Sequence, residues 1–273
     1  MHHKALRMRL ANVFHDQPTL RTLFYVLTDG LVVTFWHMRR SIHTFAWRRK
    51  GSAHVLDAGT GMGQYVHYLS LRHPDWNIYA VDRNPDEISA CNEYFHRKHY
   101  ERVLFRTENV LEIHRNEVYD LILAVNVIEY IEEDVQAISN LYSALKPGGQ
   151  LLLSVRSDKN FPLQPNLSNK LTSNQEVVHR YNNFDLKKLL RDGGFKHYKA
   201  HYSYGISGRL STFLGISVPN SMLRRHENYL YTLPLYFLLM YPFIIILNAI
   251  DAYIGHSEGA EVVAVATKSM EGT

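Results

Sequence analysis

One cysteine, Cys91, in a chain of 273 residues leaves no partner for an intramolecular disulfide and excludes a disulfide-stapled framework, as expected in a reducing compartment. Lysines and arginines number 30 against 26 acids and form no long blocks, so the clustered basic face of a nucleic-acid binder is missing and no nucleic-acid partner is expected. The opening Met1-His2-His3-Lys4 lacks the continuous apolar core of a secretion signal, and the protein is expected to be cytoplasmic. Low-complexity tracts, internal repeats and metal-ligand spacings are also lacking, and no metal is expected. The length exceeds the roughly 200 residues of a bare α/β core, so one domain with insertions is expected.

What is there begins with glycine. In Val55-Leu56-Asp57-Ala58-Gly59-Thr60-Gly61-Met62-Gly63, an apolar run enters a turn with three alternating glycines, and Tyr79-Ala80-Val81-Asp82 is a second apolar run ending in an acid. Glycine permits positive φ and lets a ligand approach without a Cβ in the way. A dinucleotide fingerprint needs a small residue three positions after Gly61, but Gln64 stands there. The pattern is Asp-x-Gly-x-Gly-x-Gly, suited to a nucleoside ligand carrying a charged amino group and no pyrophosphate. Asp82 is placed at a strand end to accept hydrogen bonds from ribose hydroxyls.

This loop resembles motif I of the class I S-adenosylmethionine-dependent methyltransferases. Tyr119 to Ile131 is similar to that family's fourth strand, and Leu145-Lys146-Pro147-Gly148-Gly149 with the apolar run after it to its turn and fifth strand. The resemblance covers about residues 50 to 157 and implies a Rossmann-like α/β fold with a seven-stranded sheet, the last strand antiparallel. It also implies S-adenosyl-L-methionine as cofactor. Asp57, Gly59, Thr60, Gly61 and Gly63 would hold the methionine portion, Asp82 the ribose, and Arg83 would wall the adenine pocket. Glu108, Asn109 and Val110 fall where the family contacts adenine, with Asn109 in the place of an acid. Asn126 replaces an acid after strand four and Tyr130 a frequent histidine, which leaves the catalytic base open.

The alternation predicts strands near 53–58, 77–82, 102–107, 119–125 and 149–156, then strands at 195–204 and 261–268. A helix from Phe184 to Asp192 follows Asn183 as N-cap, and Asn84 or Asp86 caps the helix after Asp82. Expected boundaries are an N-terminal helical lid at 1–50, a methyltransferase core at 51–204 and 260–273, and an apolar helical insertion at 205–259 that caps the substrate. Two helices are read within 18–49, one with Leu20, Leu23, Phe24, Leu27 and Leu31 at helical spacing, the other with Phe35, Met38, Ile42 and Phe45. Their basic residues either form a solvated face or meet acidic lipid headgroups, with Trp36 and Trp47 as interfacial anchors.

The segment 157–176 is a proline-containing loop, either a lid or a solvated connection. From Asn228 to Ile250 no charged side chain occurs. By length the run could cross a bilayer. The return of 261–268 to the same sheet argues against that, and Pro234 and Pro242 are expected to break the run into shorter helices. It would roof an apolar pocket or also dip into a membrane surface.

Methyl transfer to oxygen requires a proton acceptor; His179, His37 and Tyr130 are the catalytic candidates, beside His43. Phe24, Trp36, Glu129, Arg180, Tyr181 and Tyr236 are candidate substrate contacts. The expected activity is methylation of a small or medium-sized lipophilic acceptor, at oxygen in preference to carbon. The alternative is a methyltransferase fold without methyl transfer, as a partner subunit or as a cyclase that uses the bound sulfonium. A small-molecule substrate is the expected partner, with contact to the inner membrane face carried as an option.

Overall fold

The computed structural model describes residues 18–159, 177–225 and 231–270. Two helices, α1 (Pro18–Leu31) and α2 (Val33–Arg49), precede an alternation of β1 (His54–Ala58), α3 (Gln64–Arg72), β2 (Asn77–Asp82), α4 (Pro85–Arg97), β3 (Val103–Thr107) and β4 (Tyr119–Val125). Then come α5 (Asp134–Ala144), β5 (Leu145–Arg156), α6 (Asn183–Asp192) and β6 (His197–Ser203). The insertion contributes α7 (Ile206–Thr212), a π turn at Phe213–Ser217, α8 (Val218–Arg225) and α9 (Leu233–Tyr253), before β7 (Glu261–Thr267) closes the chain's path.

The seven strands lie in the order β3-β2-β1-β4-β5-β7-β6. β1 to β5 are mutually parallel, while β7 runs antiparallel between β5 and β6, with Leu152 opposite Val265 and Ala200 opposite Ala264. Parallel strands covered on both faces read as continuous apolar runs, and β4 illustrates why. Ile122 and Ala124 face the core under α5 and α6, whereas Leu121 and Leu123 face the core under α2, α3 and α4. The order reverses at β1 and β4, so the crevice beyond their carboxyl ends is where a ligand is expected.

Helix α2 belongs to the core: Phe35, Met38, Ile42 and Phe45 pack with Val55, Trp76, Leu152 and Val263. Of the two N-terminal helices, α1 reaches the glycine turn, through Arg21 and Tyr25 on Met62 O. Its apolar stripe was expected to face inward, but the structure buries Arg21, Tyr25, Thr28 and Gly30 and leaves Leu23 and Val26 about half exposed. The reason is hydrogen bonding: the Arg21 guanidinium and Tyr25 phenol find acceptors beneath α1 that a leucine could not use.

Two further expectations are corrected. Asn182, not Asn183, caps α6, accepting from Phe184 N and Asp185 N. Pro234 and Pro242 do not divide the apolar run, which forms a single 21-residue helix. Pro234 sits in the first turn, where no intrahelical donor is required, and Pro242 lies on the exposed face. Most of the loop read at 157–176 lies outside the described residues.

Candidate active site

The glycine turn is held by backbone bonds to the neighbouring strand. Gly59 N and Thr60 N both donate to Val81 O, at 2.8 and 2.9 Å, which fastens the tip of β1 to β2. Gly59, Gly61 and Gly63 all have positive φ, at 81°, 51° and 77°. They differ in what surrounds them. A Cβ on Gly59 would lie 2.6 Å from Val127 Cγ2, and one on Gly63 3.2 Å from Cys91 Sγ, whereas one on Gly61 would meet nothing within 4 Å. Gly61 therefore borders the open cradle.

Two acids end the strands beside it. Asp57 is buried, its Oδ2 accepts from Thr60 Oγ1 at 2.7 Å, and burial, reinforced by the Asp82 charge, pushes its pKa up to about 7. Asp82 accepts from Gly61 N and Asn84 N, each at 2.9 Å, which leaves lone pairs on both oxygens. A negative, partly dehydrated cradle with one wall free of Cβ fits a nucleoside whose other end carries a sulfonium and an ammonium.

Helix α1 fastens this turn from above, through residues the sequence reading did not select. Arg21 donates to Met62 O and Ala90 O, both at 2.8 Å, and to Tyr25 Oη at 2.7 Å; the Tyr25 hydroxyl donates to Met62 O. Cys91 lies 3.0 Å from the same guanidinium, and burial raises its thiol to about 12, which makes it a packing residue and an inert one. The available signal was an arginine facing away from the leucine stripe.

Beyond the end of β3, Val110 is buried and Asn109 uses its side-chain oxygen to cap the short turn Val110–Glu112, accepting from Leu111 N at 3.1 Å. Glu108 is engaged by Arg115 at 2.7 and 2.9 Å and by Tyr79 Oη at 3.1 Å. Its carboxylate thereby braces the wall. Arg83 follows Asp82 and is exposed.

At the carboxyl ends of β4 and β5 lies a second group of buried polar side chains. Asn126 holds a left-handed backbone, φ 52°, a conformation asparagine tolerates better than most residues. Its Nδ2 donates to Glu261 Oε1 at 3.4 Å, Ser154 Oγ donates to Glu261 Oε2 at 3.1 Å, and Thr34 Oγ1 reaches the same oxygen at 2.6 Å. Glu261, buried at the start of β7, was missed because it reads as the first residue of a strand. Glu129 is fully buried, and neither of its carboxylate oxygens has a hydrogen-bond partner among the described residues. Its nearest cation is Arg156 Nε at 3.7 Å, and burial, with Glu261 adding a like charge, raises its pKa to about 8. The Tyr130 hydroxyl beside it is buried without a partner too, and burial followed by the Glu129 charge raises its pKa. Tyr65 is stacked on Phe35 at 4.6 Å, and burial, followed by the Glu261 charge, raises its pKa.

The remaining candidates are dispersed. His179 donates its backbone N–H to Glu129 O at 3.1 Å while its ring Nε2 lies 3.1 Å from Glu132 O. His37 is buried with both ring nitrogens engaged, Nε2 on Asp251 at 3.0 Å and Nδ1 on His201 at 3.2 Å. His43 Nε2 meets the Tyr68 hydroxyl at 3.1 Å. Tyr181 turns under α5, donating to Asp134 Oδ2 at 2.7 Å, and the exposed Arg180 reaches Ser157 O at 3.4 Å. Trp36 Nε1 donates to Gly30 O at 3.2 Å, the half-buried Phe24 packs on the α2 side, and Tyr236 donates to Leu214 O at 2.7 Å. Most of these bonds tie neighbouring elements together; of the catalytic and substrate candidates, Glu129 and Tyr130 are those whose buried polar atoms lie unpaired among the described residues, and the Arg180 charge acts on both.

Comparison with known proteins agrees with this geometry. The pattern of the family described as "Methyltransferase domain" matches residues 49–194, just over half of the chain. A malonyl-[acyl-carrier protein] O-methyltransferase of Ilyobacter polytropus is 26% identical over 133 residues, covering 48% of this chain and 49% of the relative. A ubiquinone biosynthesis O-methyltransferase of Rickettsia felis is 27% identical over 100 residues, 37% of this chain and 40% of that one. The chain thus spans about half or less of the length of these relatives. Among solved structures, phosphoethanolamine N-methyltransferase 2 of Haemonchus contortus, with S-adenosylhomocysteine bound, superposes with a TM-score of 0.61 at 17% identity. That match covers 90% of this chain and 57% of that one. Sheet order, the cradle between Asp57 and Asp82, and the matched pattern lead to one assignment: the chain belongs to the class I S-adenosylmethionine-dependent methyltransferases.

Proposed function

We propose that this enzyme methylates an oxygen on a lipophilic acceptor, with Glu129 as the base that removes the acceptor's proton. The observation that carries the proposal is a buried carboxylate beside the cofactor cradle whose two oxygens lack hydrogen-bond partners among the described residues. Leaving such a group unpaired costs folding free energy, about 1–3 kcal/mol or more, so its persistence points to use. S-adenosylmethionine, when bound, supplies an electrophilic methyl group on a sulfonium.

The protein's own residues do the rest. Gly61 and the two aspartates place the donor, and alignment of donor and acceptor can contribute about 7–11 kcal/mol. A pKa raised to about 8 brings Glu129 closer to a phenol, near 10, than an ordinary carboxylate would be, which makes proton transfer less uphill. Arg156 and the Tyr130 hydroxyl stand next to it to orient the acceptor's polar end. Lipophilicity of the remainder is supported by the run from Asn228 to Ile250, which carries no charged side chain, beside the aromatic residues of α1 and α2. The names of the sequence relatives, both O-methyltransferases, support the choice of oxygen.

A screen with isotopically labelled methyl donor, setting phenolic and hydroxylated lipids against polar amines and acids, tests the proposal. Label is expected in the lipid fraction with equimolar S-adenosylhomocysteine. Faster turnover of polar metabolites, or product formation without S-adenosylhomocysteine, overturns it.

A further inference from the structure

Helix α9 is the one helix among the described residues long and apolar enough to cross a membrane, yet its burial pattern is that of a helix lying on a surface. One face is inside: Ile244, Asn248, Asp251 and Ala252 are buried. The opposite stripe, Leu235, Leu238, Leu239, Phe243 and Ile246, is more than half exposed at 62%, 72%, 56%, 58% and 57%. These positions fall at helical spacing on one face. A helix packed on a soluble protein carries charge on its outer side; α9 has a single charged residue, Asp251, and that one is buried. The stripe continues across α1, which is bound to α9 through Asn248 Nδ2 to Gly30 O at 2.7 Å and turns Leu23, Val26 and Leu27 outward.

Crossing a bilayer is incompatible with these contacts. Asp251 of α9 accepts from Tyr204 N and Gly208 N, Tyr236 is bonded to Leu214 O, and β7 returns between β5 and β6. Near its start α9 is fastened to the π turn of the insertion, and near its end to α7 and to the residue that follows β6.

The charge around the stripe selects its partner. On α2 and at its C-cap the chain carries Arg39, Arg40, Arg48, Arg49 and Lys50, with Asp29 the one acid from residue 18 to 56; Arg21 is buried against the glycine turn, and Arg49 is paired with Asp120 at 3.1 Å. One of these borders α9 directly: Arg40 donates to Ala252 O at 2.6 Å and lies 4.8 Å from the Tyr253 ring, while Arg39 lies 5.7 Å over the Trp36 ring. An apolar stripe beside arginines and aromatic rings matches a leaflet with anionic headgroups, where acyl chains take the leucines and phosphates face the guanidinium groups. We infer that the joined outer faces of α9 and α1 seat in the plane of an anionic lipid surface. The inference concerns attachment and stands apart from the identity of the methyl acceptor.

Co-sedimentation of the full chain with vesicles of phosphatidylcholine, with and without phosphatidylglycerol, tests it. Binding is expected with the anionic vesicles and should fall as salt approaches molar strength, where the screening length is about 3 Å. Leu238→Glu with Phe243→Glu should weaken binding by roughly tenfold to a hundredfold per side chain. Both positions are exposed, so affinity for S-adenosylmethionine by calorimetry should be unchanged, and this separates loss of docking from loss of fold. Failure to sediment with either vesicle overturns the inference. So does a dimer that the same two substitutions dissociate, which would assign the face to a second copy, or resistance to alkaline carbonate extraction from membranes, which would mean a crossing helix.

Discussion

Glu129 holds its proton at a pH where an exposed glutamate would have lost it, and this has consequences for rate and for stability. As a base it works only when ionised, so kcat/KM should climb with pH and level off above about 8. Glu129→Gln should lower kcat by roughly a hundredfold to ten-thousandfold, abolish that limb and leave cofactor affinity intact. For stability the sign is opposite. A carboxyl whose folded pKa lies above its unfolded value, near 4.3, stabilises fully below that value, and the stabilisation is lost as pH rises to about 8. The melting temperature of the Gln variant should therefore gain on the parent between pH 5 and 8; parallel melting curves would show that Glu129 is already ionised. Asp57 makes a separate prediction about the donor. Its pKa of about 7 must fall when a cationic ligand binds, so affinity for S-adenosylmethionine should rise with pH up to about 7, and Asp57→Asn should remove that rise. Calorimetry at pH 5.5, 6.5 and 7.5 decides it. At Asp82, loss of charged hydrogen bonds worth about 1.5–3 kcal/mol each should weaken binding by about a hundredfold in Asp82→Ala.

The glycine turn separates folding from binding within one element. Ala at Gly59 would combine positive φ with a 2.6 Å clash against Val127, so Gly59→Ala should lower both stability and cofactor affinity. Ala at Gly61 would pay only the left-handed backbone cost, about 1–2 kcal/mol, and its Cβ would project into the open cradle. Gly61→Ala should thus keep the fold by circular dichroism and lose donor binding; retained affinity would remove the ligand from that wall. The strands and this turn were readable in the sequence because their patterns are local: two covered faces make an apolar run, and close approach demands glycine. Other elements were not, because partners far along the chain decide them. Arg21 inverts α1 through acceptors at Met62 and Ala90, 41 and 69 residues away. Glu261 joins the buried polar group only because β7 inserts between β5 and β6, which places a strand's first residue beside Ser154 and Thr34.

At the level of the whole molecule, one buried carboxylate joins the insertion to the core. Asp251 on α9 accepts from Tyr204 N, from Gly208 N and Ser207 Oγ, and from His37 on α2, with His256 3.2 Å away. These bonds hold its pKa below the ordinary carboxylate value against the opposing effect of burial. A depressed folded pKa stabilises above the unfolded value of about 3.9, and the contribution is lost as pH falls through the folded one, so the cap is expected to be acid-labile below pH 4. His201, with its pKa lowered to about 4 by burial and by His37, acts over a higher window, withdrawing stability as pH falls from the unfolded value near 6.5 to about 4. Asp251→Asn keeps the shape but not the anion, and hydrogen bonds to a charged acceptor contribute about 1.5–3 kcal/mol each. In a chain of this size that should lower Tm by ~10 °C. The loss should be uneven. The contacts removed lie between α9, α7 and α2, whereas β1, β4 and their glycine turn share none of them. Hydrogen exchange is therefore expected to quicken in α7 and α9 while amides of β1 and β4 stay protected and the donor still binds. Uniform loss of protection would mean that insertion and sheet unfold as one unit, and that the apolar face of α9 is held in place by the whole core and not by this carboxylate.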